Sequence, residues 1–462
     1  MTVLTEIAAR SRDAGAGADP AALATAGRHV LDTMACVLSG TTHPLAARWL
    51  PLLPAGPPDG PAAVGTSMPR GFTTAVEIEA TLAHLDEFDP LHGPSAVAPG
   101  AVVVPAALLV GADLHASGEQ VARAVVAGYE AVVEAALRFG GPALYAAGWW
   151  PTALFGALGS AAATASLLGL DAPATGTALA LAASTLGGLL SSDHLGDAHY
   201  LLCGRAAAHG TWSARAAHAG LTASTSLLDG PATAALGRPP APPSPAGEPH
   251  IGATALKTWP CARPLHTALA ALEDLAADGV RPAPGDTVEI ALPSAALHFV
   301  TDRPEPADPT EAAASAAVAV AGAVAGRARD PLWYREAGSG GFTLPDITVR
   351  LRADPGLDAL FPARWGAEVT VRSDGVAARR RRLVAPGDPD LPLTDEELIA
   401  KATALIALPG AAPVIPRLLR LADEPDLAPV RAALRGVPPV PAGVPPVPAG
   451  VPPVHDRPPP PG

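Results

Sequence analysis

Apolar residues recur every three or four positions through the first 250 residues, mostly as alanine, leucine and valine. This spacing places them on one face of a helix. Asp19 and Pro20 supply an N-cap and a first-turn proline for a helical stretch over residues 20–50. Strand patterns are scarce here, so the pattern predicts a helical bundle. The other predicted helices cover residues 75–85, 102–114, 118–139, 152–168, 173–190 and 204–219.

A proline-rich segment, Leu236–His250, separates this region from one with a different pattern. After it, three short runs alternate between apolar and polar residues and predict strands, with helical spacing between and after them. The sequence therefore predicts a mainly α fold with an α+β part. The strands are predicted at Asp286–Leu292, Ile347–Ala353 and Ala367–Arg372, and the helices at Pro264–Asp278, Glu311–Ala325, Thr394–Ala407 and Val414–Leu421.

Two domains and a tail are predicted, because 462 residues exceed the size of one compact unit. We assign residues 1–255 and 386–435 to the helical bundle domain, on which the last helices are expected to pack. The smaller α+β domain is assigned to residues 256–385. Residues 436–462 repeat GVPPVPA, a composition that favours extended, solvated polyproline II. We expect a disordered tail there, with a proline-rich docking peptide as the alternative.

Charge and cysteine content narrow the class of protein. The net charge of −13 is spread along the chain, which argues against a nucleic-acid partner. The three cysteines, Cys36, Cys203 and Cys261, lie far apart, which fits a reducing cytosol rather than a disulfide framework. The N-terminal residues lack the apolar core of a secretory signal, and apolar runs such as residues 161–170 are broken by polar residues. We expect a cytoplasmic protein without a membrane partner.

The first candidate cluster for chemistry is Glu87, Asp89 and His92, within a turn-rich segment after a predicted helix. Carboxylates near a histidine tune and orient it for proton transfer. The alternative is a helix C-terminus with solvated acids.

The second cluster lies in residues 192–205, where His194, His199, Tyr200 and Arg205 precede an alanine-rich helix. Four polar or basic groups between two apolar helices are difficult to place in a core. The alternative is a loop with incidental histidines.

The third cluster, Lys257, Arg263 and His266, surrounds a Trp-Pro-Cys sequence. Two fixed cations suit a carboxylate or another anionic oxygen. Cys261 is either a nucleophile or a buried structural thiol, and the sequence favours the latter. The chain has no HxxxH, HExxH or CxxC pair and no glycine-rich phosphate loop, so neither a metal nor a nucleotide is predicted.

These clusters, in this order, resemble the MmgE/PrpD family, which includes 2-methylcitrate dehydratase, cis-aconitate decarboxylase and iminodisuccinate epimerase. The resemblance covers about residues 5–430. It is carried by His29–Gly40, His84–Ala107, Gly128–Glu130, Gly148–Gly159, Leu168–Asp171, Lys257–His266, and Asp358–Trp365 followed by Gly375.

The resemblance implies a large helical domain, a smaller α+β lid domain, a site between them, no cofactor and a homodimer. It also implies chemistry on carbon acids, in which a proton beside a carboxylate moves. The residues that the resemblance and the clusters assign to catalysis are Lys257, His92 and His199. Those assigned to substrate binding are Glu87, Asp89, Trp149, Trp150, Tyr200, Arg205, Arg263 and His266.

Several polar positions of the family pattern are changed in this chain, and most become apolar. A pocket for a tricarboxylate would keep its cations, so the changes favour a larger, less polar substrate. Trp149 and Trp150 offer flat walls for it. Where the family pattern has an acid and a threonine, this chain has Pro90 and Leu91. Histidines of the pattern are replaced by Ala98, Trp150 and Leu202, a lysine by His199 and a tyrosine by Val318.

Three hypotheses follow. The first is a tailoring enzyme of specialised, polyketide-like metabolism that dehydrates, isomerises, decarboxylates or cyclises a bulky substrate, and it predicts an enclosed apolar cavity. The second is a lyase acting on a small acid such as cis-aconitate or 2-methylcitrate. The third is a non-catalytic binding protein.

Overall fold

The computed structural model describes residues 1–58, 60–64, 66, 69–190, 196–340, 343–406 and 412–435. The predicted tail, 436–462, lies outside the described residues, as does His194. None of the helices within the described ranges has both the length and the apolar character needed to cross a bilayer.

Seventeen α-helices and four strands are assigned in the described residues. The helices are α1 Val3–Ala16, α2 Pro20–Gly40, α3 Pro44–Trp49, α4 Phe72–His84, α5 Pro99–Asp113, α6 Gly118–Arg138, α7 Pro151–Leu167, α8 Ala172–Ala183, α9 Ala198–His218, α10 Pro264–Ala277, α11 Pro309–Ala314, α12 Ala316–Val324, α13 Pro331–Ala337, α14 Pro355–Asp358, α15 Asp395–Leu405, α16 Val414–Leu419 and α17 Ala428–Arg435. The strands are β1 Thr287–Leu292, β2 Thr348–Ala353, β3 Ala367–Ser373 and β4 Val376–Arg382.

The predicted mainly α fold with an α+β part is confirmed, and most predicted helices are observed within a few residues. The helix predicted at 173–190 was too long, because α8 ends at Ala183. The helix predicted at 311–325 is divided at Ser315, whose side chain caps α12 by accepting a hydrogen bond from Val318 N. The helix predicted at 204–219 begins six residues earlier, so the second cluster lies largely on α9 rather than in a loop.

Small residues bring the helices of the bundle close together. A Cβ at Gly210 on α9 would lie 2.0 Å from the carbonyl oxygen of Ala157 on α7. A Cβ at Gly204 would lie 2.2 Å from Thr81 Oγ1 on α4. The backbones approach so closely that only glycine fits at these positions. This packing holds α9, which carries His199, firmly against α4 and α7.

The four strands form one mixed sheet in the order β2-β1-β3-β4. β1 pairs with β2 in parallel and with β3 antiparallel, and β3 pairs antiparallel with β4. Helix α10 packs against this sheet through buried leucines and alanines. Three of the four strands were predicted, but β4 was not.

Two large hydrophobic cores and one small cluster of three alanines are present in the described residues. The larger contains side chains between Val3 and Leu256 and again between Leu393 and Leu434. The smaller contains side chains between Trp259 and Ala385. The exact domain boundaries stay a prediction, but the two cores follow the same division of the chain.

Buried polar contacts connect the two cores close to the first cluster. Arg335 on α13 donates to both carboxylate oxygens of Asp86, at 2.8 and 2.6 Å, and also to Thr42 Oγ1 and to the carbonyl of Ser39. Asp86 immediately precedes Glu87, so this buried ion pair holds one end of the segment that carries the candidate chemistry.

Candidate active site

A cavity lies where the two cores meet, and about 840 Å³ of space in it, solvent at its mouth included, is free of protein atoms. Its wall is mainly apolar, with a few polar groups from both sides. The lining residues are His84, Glu87, Leu91, Ala96, Ala98, Tyr145, Trp150, Thr152, Leu190, His199, Lys257, Ala262, Arg263, Pro264, His298, Phe299, Thr310, Ala313, Ala314 and Trp365.

Glu87, at the cavity wall, has an uncommon backbone conformation. It follows the end of α4 and has φ of 51°, in the left-handed region that glutamate rarely adopts. Its neighbours hold it there, because Asp86 pairs with Arg335 and the Glu87 carbonyl accepts a hydrogen bond of 2.7 Å from Lys257 Nζ. Strain maintained by surrounding contacts is common at functional sites.

The Glu87 carboxylate is the centre of a hydrogen-bonded cluster. His199 Nε2 on α9 lies 3.1 Å from Glu87 Oε1, and His84 Nε2 on α4 lies 3.4 Å from the same oxygen. Lys257 Nζ lies 3.3 Å from Glu87 Oε2. The other nitrogen of His84, Nδ1, lies 2.9 Å from Asp89 Oδ1. Three separate elements thus bring an acid, a lysine and two histidines together.

Charge determines the protonation state of this cluster. Burial by itself would raise the pKa of Glu87, but His84, Lys257 and His199 outweigh it and hold the pKa well below its usual range. Burial opposes the charged form of His84, yet Asp89 and Glu87 raise its pKa. Burial lowers the pKa of His199, and its hydrogen bond to Glu87 offsets this only in part. The surroundings thus favour the charged form of His84 and the neutral form of His199.

The neutral state of His199 defines which of its nitrogens carries the proton. Because Glu87 is ionised and accepts only, His199 must donate Nε2–H to it. Its Nδ1 is then unprotonated, and this buried atom has no hydrogen-bond partner among the described residues. A carboxylate that orients a neutral imidazole in this way prepares the free nitrogen to accept a proton.

His84, Glu87 and His199 also have the spacing of a metal site, with one potential ligand atom from each within 4.8 Å of the other two. However, the Lys257 ammonium contacts the same carboxylate. A divalent cation bound there would meet this positive charge and would compete with protonation of His84, whose pKa is raised. The cluster is therefore better suited to hydrogen bonding and proton transfer than to a divalent cation.

Lys401 on α15 supports the cluster from behind. Its ammonium donates 2.9 Å hydrogen bonds to the carbonyls of Phe88 and Lys257 and lies 2.7 Å from Asp32 Oδ1. The two carbonyls belong to the segments that carry Glu87 and Lys257. Lys401 thus positions both segments against α2.

Aromatic side chains form much of the apolar wall. The Trp150 ring lies 4.3 Å from that of His199 and 5.1 Å from that of His84, between centroids. Tyr145 packs edge-on against Phe299, and Phe299 lies 6.2 Å from Trp365. The predicted role of Trp150 as a wall fits this geometry. Trp149 does not line the cavity, and its Nε1 donates to the carbonyl of Ala235.

The structure brings Glu87, Trp150, His199, Lys257 and Arg263 to the cavity wall. Asp89 and Tyr200 lie directly behind it. Asp89 contacts His84, and the Tyr200 ring lies 4.9 Å from that of His199. We correct their predicted role from direct substrate contact to support of the histidines.

Three further predicted site residues lie away from the wall. Arg205 is exposed on α9. His266 is buried, and its Nε2 lies 3.2 Å from the carbonyl of Cys261. Burial is the main cause that lowers the pKa of His92 to about 3, and the charge of His250 adds to it. The Nδ1 atom of His92 lies 2.8 Å from Ser95 Oγ. These contacts give His92 and His266 structural roles, and the structure does not bring Arg205 into the site.

Cys261 is not an activated nucleophile. It is buried, and burial raises the pKa of its thiol to about 12, so the thiolate is scarce at neutral pH. The interpretation of Cys261 as a structural thiol agrees with this environment.

Sequence reasoning missed His84, Tyr145, Phe299 and Trp365 as site residues. His84 is the last residue of α4 and lies three residues before Glu87. This spacing was the available signal. Trp365 ends a segment that resembles the family pattern, whereas no local pattern marks Tyr145 and Phe299, which reach the wall through tertiary packing.

Comparison with known protein families identifies the family of this chain. Residues 14–235 match the MmgE/PrpD N-terminal domain and residues 259–412 match the MmgE/PrpD C-terminal domain. The chain therefore belongs to the MmgE/PrpD family, and the resemblance seen in its motifs is confirmed.

Among curated proteins, the chain is similar to cis-aconitate decarboxylase of Aspergillus terreus, with 29% identity over 209 residues, 43% of this chain and 42% of that protein. It is also similar to a cis-aconitate decarboxylase-like protein of Aspergillus oryzae, with 27% identity over 222 residues, 46% of this chain and 45% of that protein. The alignments thus span less than half the length of these relatives.

Proposed function

We propose that this chain is a cofactor-independent enzyme of the lyase or isomerase type that moves a proton on a bulky, mainly apolar substrate in specialised, polyketide-like metabolism. The observation that carries the proposal is the cavity, in which one polar cluster faces an otherwise largely apolar wall. A substrate that filled it would bury its carbon frame against alanine, leucine and aromatic side chains.

The polar cluster has the groups that proton transfer at a carbon acid requires. His199 Nδ1 takes a proton from a carbon next to a carbonyl group, and Glu87 stabilises the imidazolium that forms. The electron pair of the broken C–H bond moves to the carbonyl oxygen. Lys257, whose ammonium already donates two hydrogen bonds to Glu87, stabilises the oxyanion with its third N–H.

The outcome depends on the substrate. Loss of a β-hydroxyl group as water gives dehydration, whereas return of the proton to another carbon gives isomerisation. Ring closure or decarboxylation would use the same oxyanion stabilisation, with folding of the substrate and exclusion of water by the apolar wall.

A lyase acting on a small carboxylic acid is the second candidate, favoured by the names of the two Aspergillus relatives. Two wall residues argue against it. Ala98 and Leu91 line the cavity where the family pattern has a histidine and a threonine, so a tricarboxylate would leave carboxylates without partners. Turnover of cis-aconitate or 2-methylcitrate by the purified protein would establish this candidate instead.

Deletion of the gene and comparison of extracted metabolites by mass spectrometry tests the proposal. We expect one intermediate to accumulate and to disappear on complementation with the wild-type gene, but not with His199→Gln. Glutamine keeps a donor for Glu87 and removes the basic nitrogen. An unchanged metabolite profile, or full complementation by His199→Gln, would contradict the proposal.

The mass of the intermediate identifies the reaction. A mass equal to that of the product indicates isomerisation or cyclisation, and an excess of water or carbon dioxide indicates dehydration or decarboxylation. We also propose a homodimer, for which light scattering on the purified protein is the test.

A further inference from the structure

Three buried nitrogen atoms without a hydrogen-bond partner belong to residues of the cavity wall. Within the described ranges they are His199 Nδ1, Arg263 Nη1 and Trp365 Nε1. The arginine and tryptophan nitrogens can only donate. Buried donors are rarely left unsatisfied in native proteins, so each such atom requires an explanation. A ligand with acceptor oxygens would explain both donor nitrogens.

Arg263 is held so that one side of its guanidinium remains available. Its Nη2 forms a buried ion pair with Asp388, and Asp388 also accepts a 2.7 Å hydrogen bond from Ala385 N. These contacts leave Nη1 without a partner in the described part of the chain, and the Arg263 side chain is only 8% exposed. The guanidinium is therefore rigid, charged and incompletely satisfied.

The N-terminus of a long helix opens at the same place. Arg263 is the N-cap of the fourteen-residue helix α10, and no side chain caps this end. Ala262 and Pro264, on either side of Arg263, line the cavity as well. The positive end of the helix dipole thus adds to the charge of the guanidinium and favours an anion.

Trp365 lines the same cavity as Arg263, and its backbone is bonded to helix α10. Thr267, one turn after Arg263 on α10, donates a 2.7 Å hydrogen bond to the Trp365 carbonyl. On the opposite side, a Cβ at Gly93 would lie 3.0 Å from Trp365 Nε1. A side chain at position 93 would therefore crowd the indole nitrogen, which is buried and has no hydrogen-bond partner among the described residues.

We propose that the substrate is a monocarboxylate whose anionic group binds Arg263 Nη1 and Trp365 Nε1 at the N-terminus of α10. Its apolar body lies along the aromatic wall, and Glu87, His199 and Lys257 remain for the reacting carbon. This inference rests on the proposed function for the identity of the site, but binding of the acid does not depend on turnover. A second carboxylate would face alanine and leucine without a partner, so the single charge is part of the proposal.

Matched probes test the acid requirement directly. Phenylalkanoates from phenylacetate to 6-phenylhexanoate and the corresponding primary amides have the same apolar bodies and differ in charge. Calorimetric titration of the purified protein should show that the best acid binds about 10- to 100-fold more tightly than its amide, the range expected for hydrogen bonds to a charged group.

Three variants assign this preference to the proposed subsite. Arg263→Gln combined with Asp388→Asn removes both charges of the pair together and should abolish the preference for the acid. Trp365→Phe keeps the aromatic ring and should weaken the acid about 3- to 10-fold relative to its amide. Lys257→Met removes the ammonium of the polar cluster and should keep the preference.

The proposal is overturned if wild-type protein binds neither series, binds acids and amides equally, or keeps its preference in both subsite variants. It is also overturned if Lys257→Met, rather than the Arg263 double variant, abolishes the preference. Should the double variant fail to fold, the acid preference of Trp365→Phe still tests the subsite. Acid preference without any metabolite change on gene deletion would support the subsite and contradict the catalytic proposal.

Discussion

Replacement of Arg335 by methionine is expected to destabilise the protein by about 3–5 kcal/mol, the usual cost of removing one partner of a buried ion pair. The guanidinium donates to Asp86 at 2.8 and 2.6 Å, to Thr42 Oγ1 at 2.7 Å and to the Ser39 carbonyl at 3.0 Å. Methionine fills much of the volume but leaves the Asp86 carboxylate, 3% exposed, buried without its partner.

The destabilisation should depend on pH. Burial would raise the pKa of Asp86, but Arg335 outweighs burial and holds the pKa below its usual value. Stability from this ionised carboxylate is present above its unfolded pKa and is lost as the pH falls through the lower folded value. The difference between the wild type and Arg335→Met is therefore expected to persist from neutral pH down to the ordinary aspartate pKa of 3.8 and to shrink as the pH falls below it.

Urea unfolding followed by tryptophan fluorescence and circular dichroism measures the effect. Arg335→Met combined with Asp86→Asn should recover part of the lost stability, because no unpaired charge remains. Arg48→Met is the control. It breaks a 3.0 Å ion pair with Asp197 in which both side chains are about half exposed, and it should cost less than about 1 kcal/mol. A single Arg335 variant no less stable than this control, or a double variant no better than the single, would refute the reasoning.

Three further outcomes are expected. Burial lowers the pKa of His29 and His92 to about 3 and that of His43 to about 4. Below pH 6.5 the unfolded chain therefore binds protons at these histidines that the folded protein does not bind. Each histidine should lower the free energy of unfolding by about 1.4 kcal/mol per pH unit as the pH falls below 6.5. Equal urea midpoints at pH 7 and pH 5 would be inconsistent with this. Ala314→Phe, which adds bulk to the cavity wall, should abolish complementation of the deletion strain, whereas Ala325→Phe, at an exposed position, should not; activity in both would show that the cavity is not the site. Dialysis against a chelator should leave the binding of the phenylalkanoate probes and the thermal stability unchanged. If either is lost on dialysis and restored by added zinc, the interpretation of the polar cluster as a hydrogen-bonding site is contradicted.

The fold was predictable from the sequence where the local pattern and the tertiary environment agree. Helix α2, with Asp19 as its N-cap, is an example. The start of α9 was missed because the polar residues after Asp197 are typical of a loop, and packing against α4 and α7 makes them helical. Strand β4 was missed because four consecutive arginines, Arg379–Arg382, hide its alternation. Acids on both sides of the sheet pair with these arginines, Asp274 and Asp278 on one side and Asp354 and Glu368 on the other.

The site was predictable as a set of segments but not as a geometry. Glu87, His199 and Lys257 were each singled out, since each lies in a segment that resembles the family pattern. Their mutual contacts depend on the conformation of Glu87 and on Lys401, which no sequence spacing reveals. His92 and His266 were misassigned because a histidine beside catalytic segments looks the same in sequence whether it is bonded to its own loop or faces a cavity.

The measurement that tests the central claim most directly is turnover of the accumulated intermediate by purified protein. The intermediate from the deletion strain, incubated with the wild-type enzyme without any added cofactor, should be converted to the missing product. His199→Gln should convert it about 10²- to 10⁴-fold more slowly, the usual contribution of a positioned base. If the intermediate is left unchanged while cis-aconitate is consumed, or if His199→Gln retains the full rate, the proposed chemistry at this cavity is wrong.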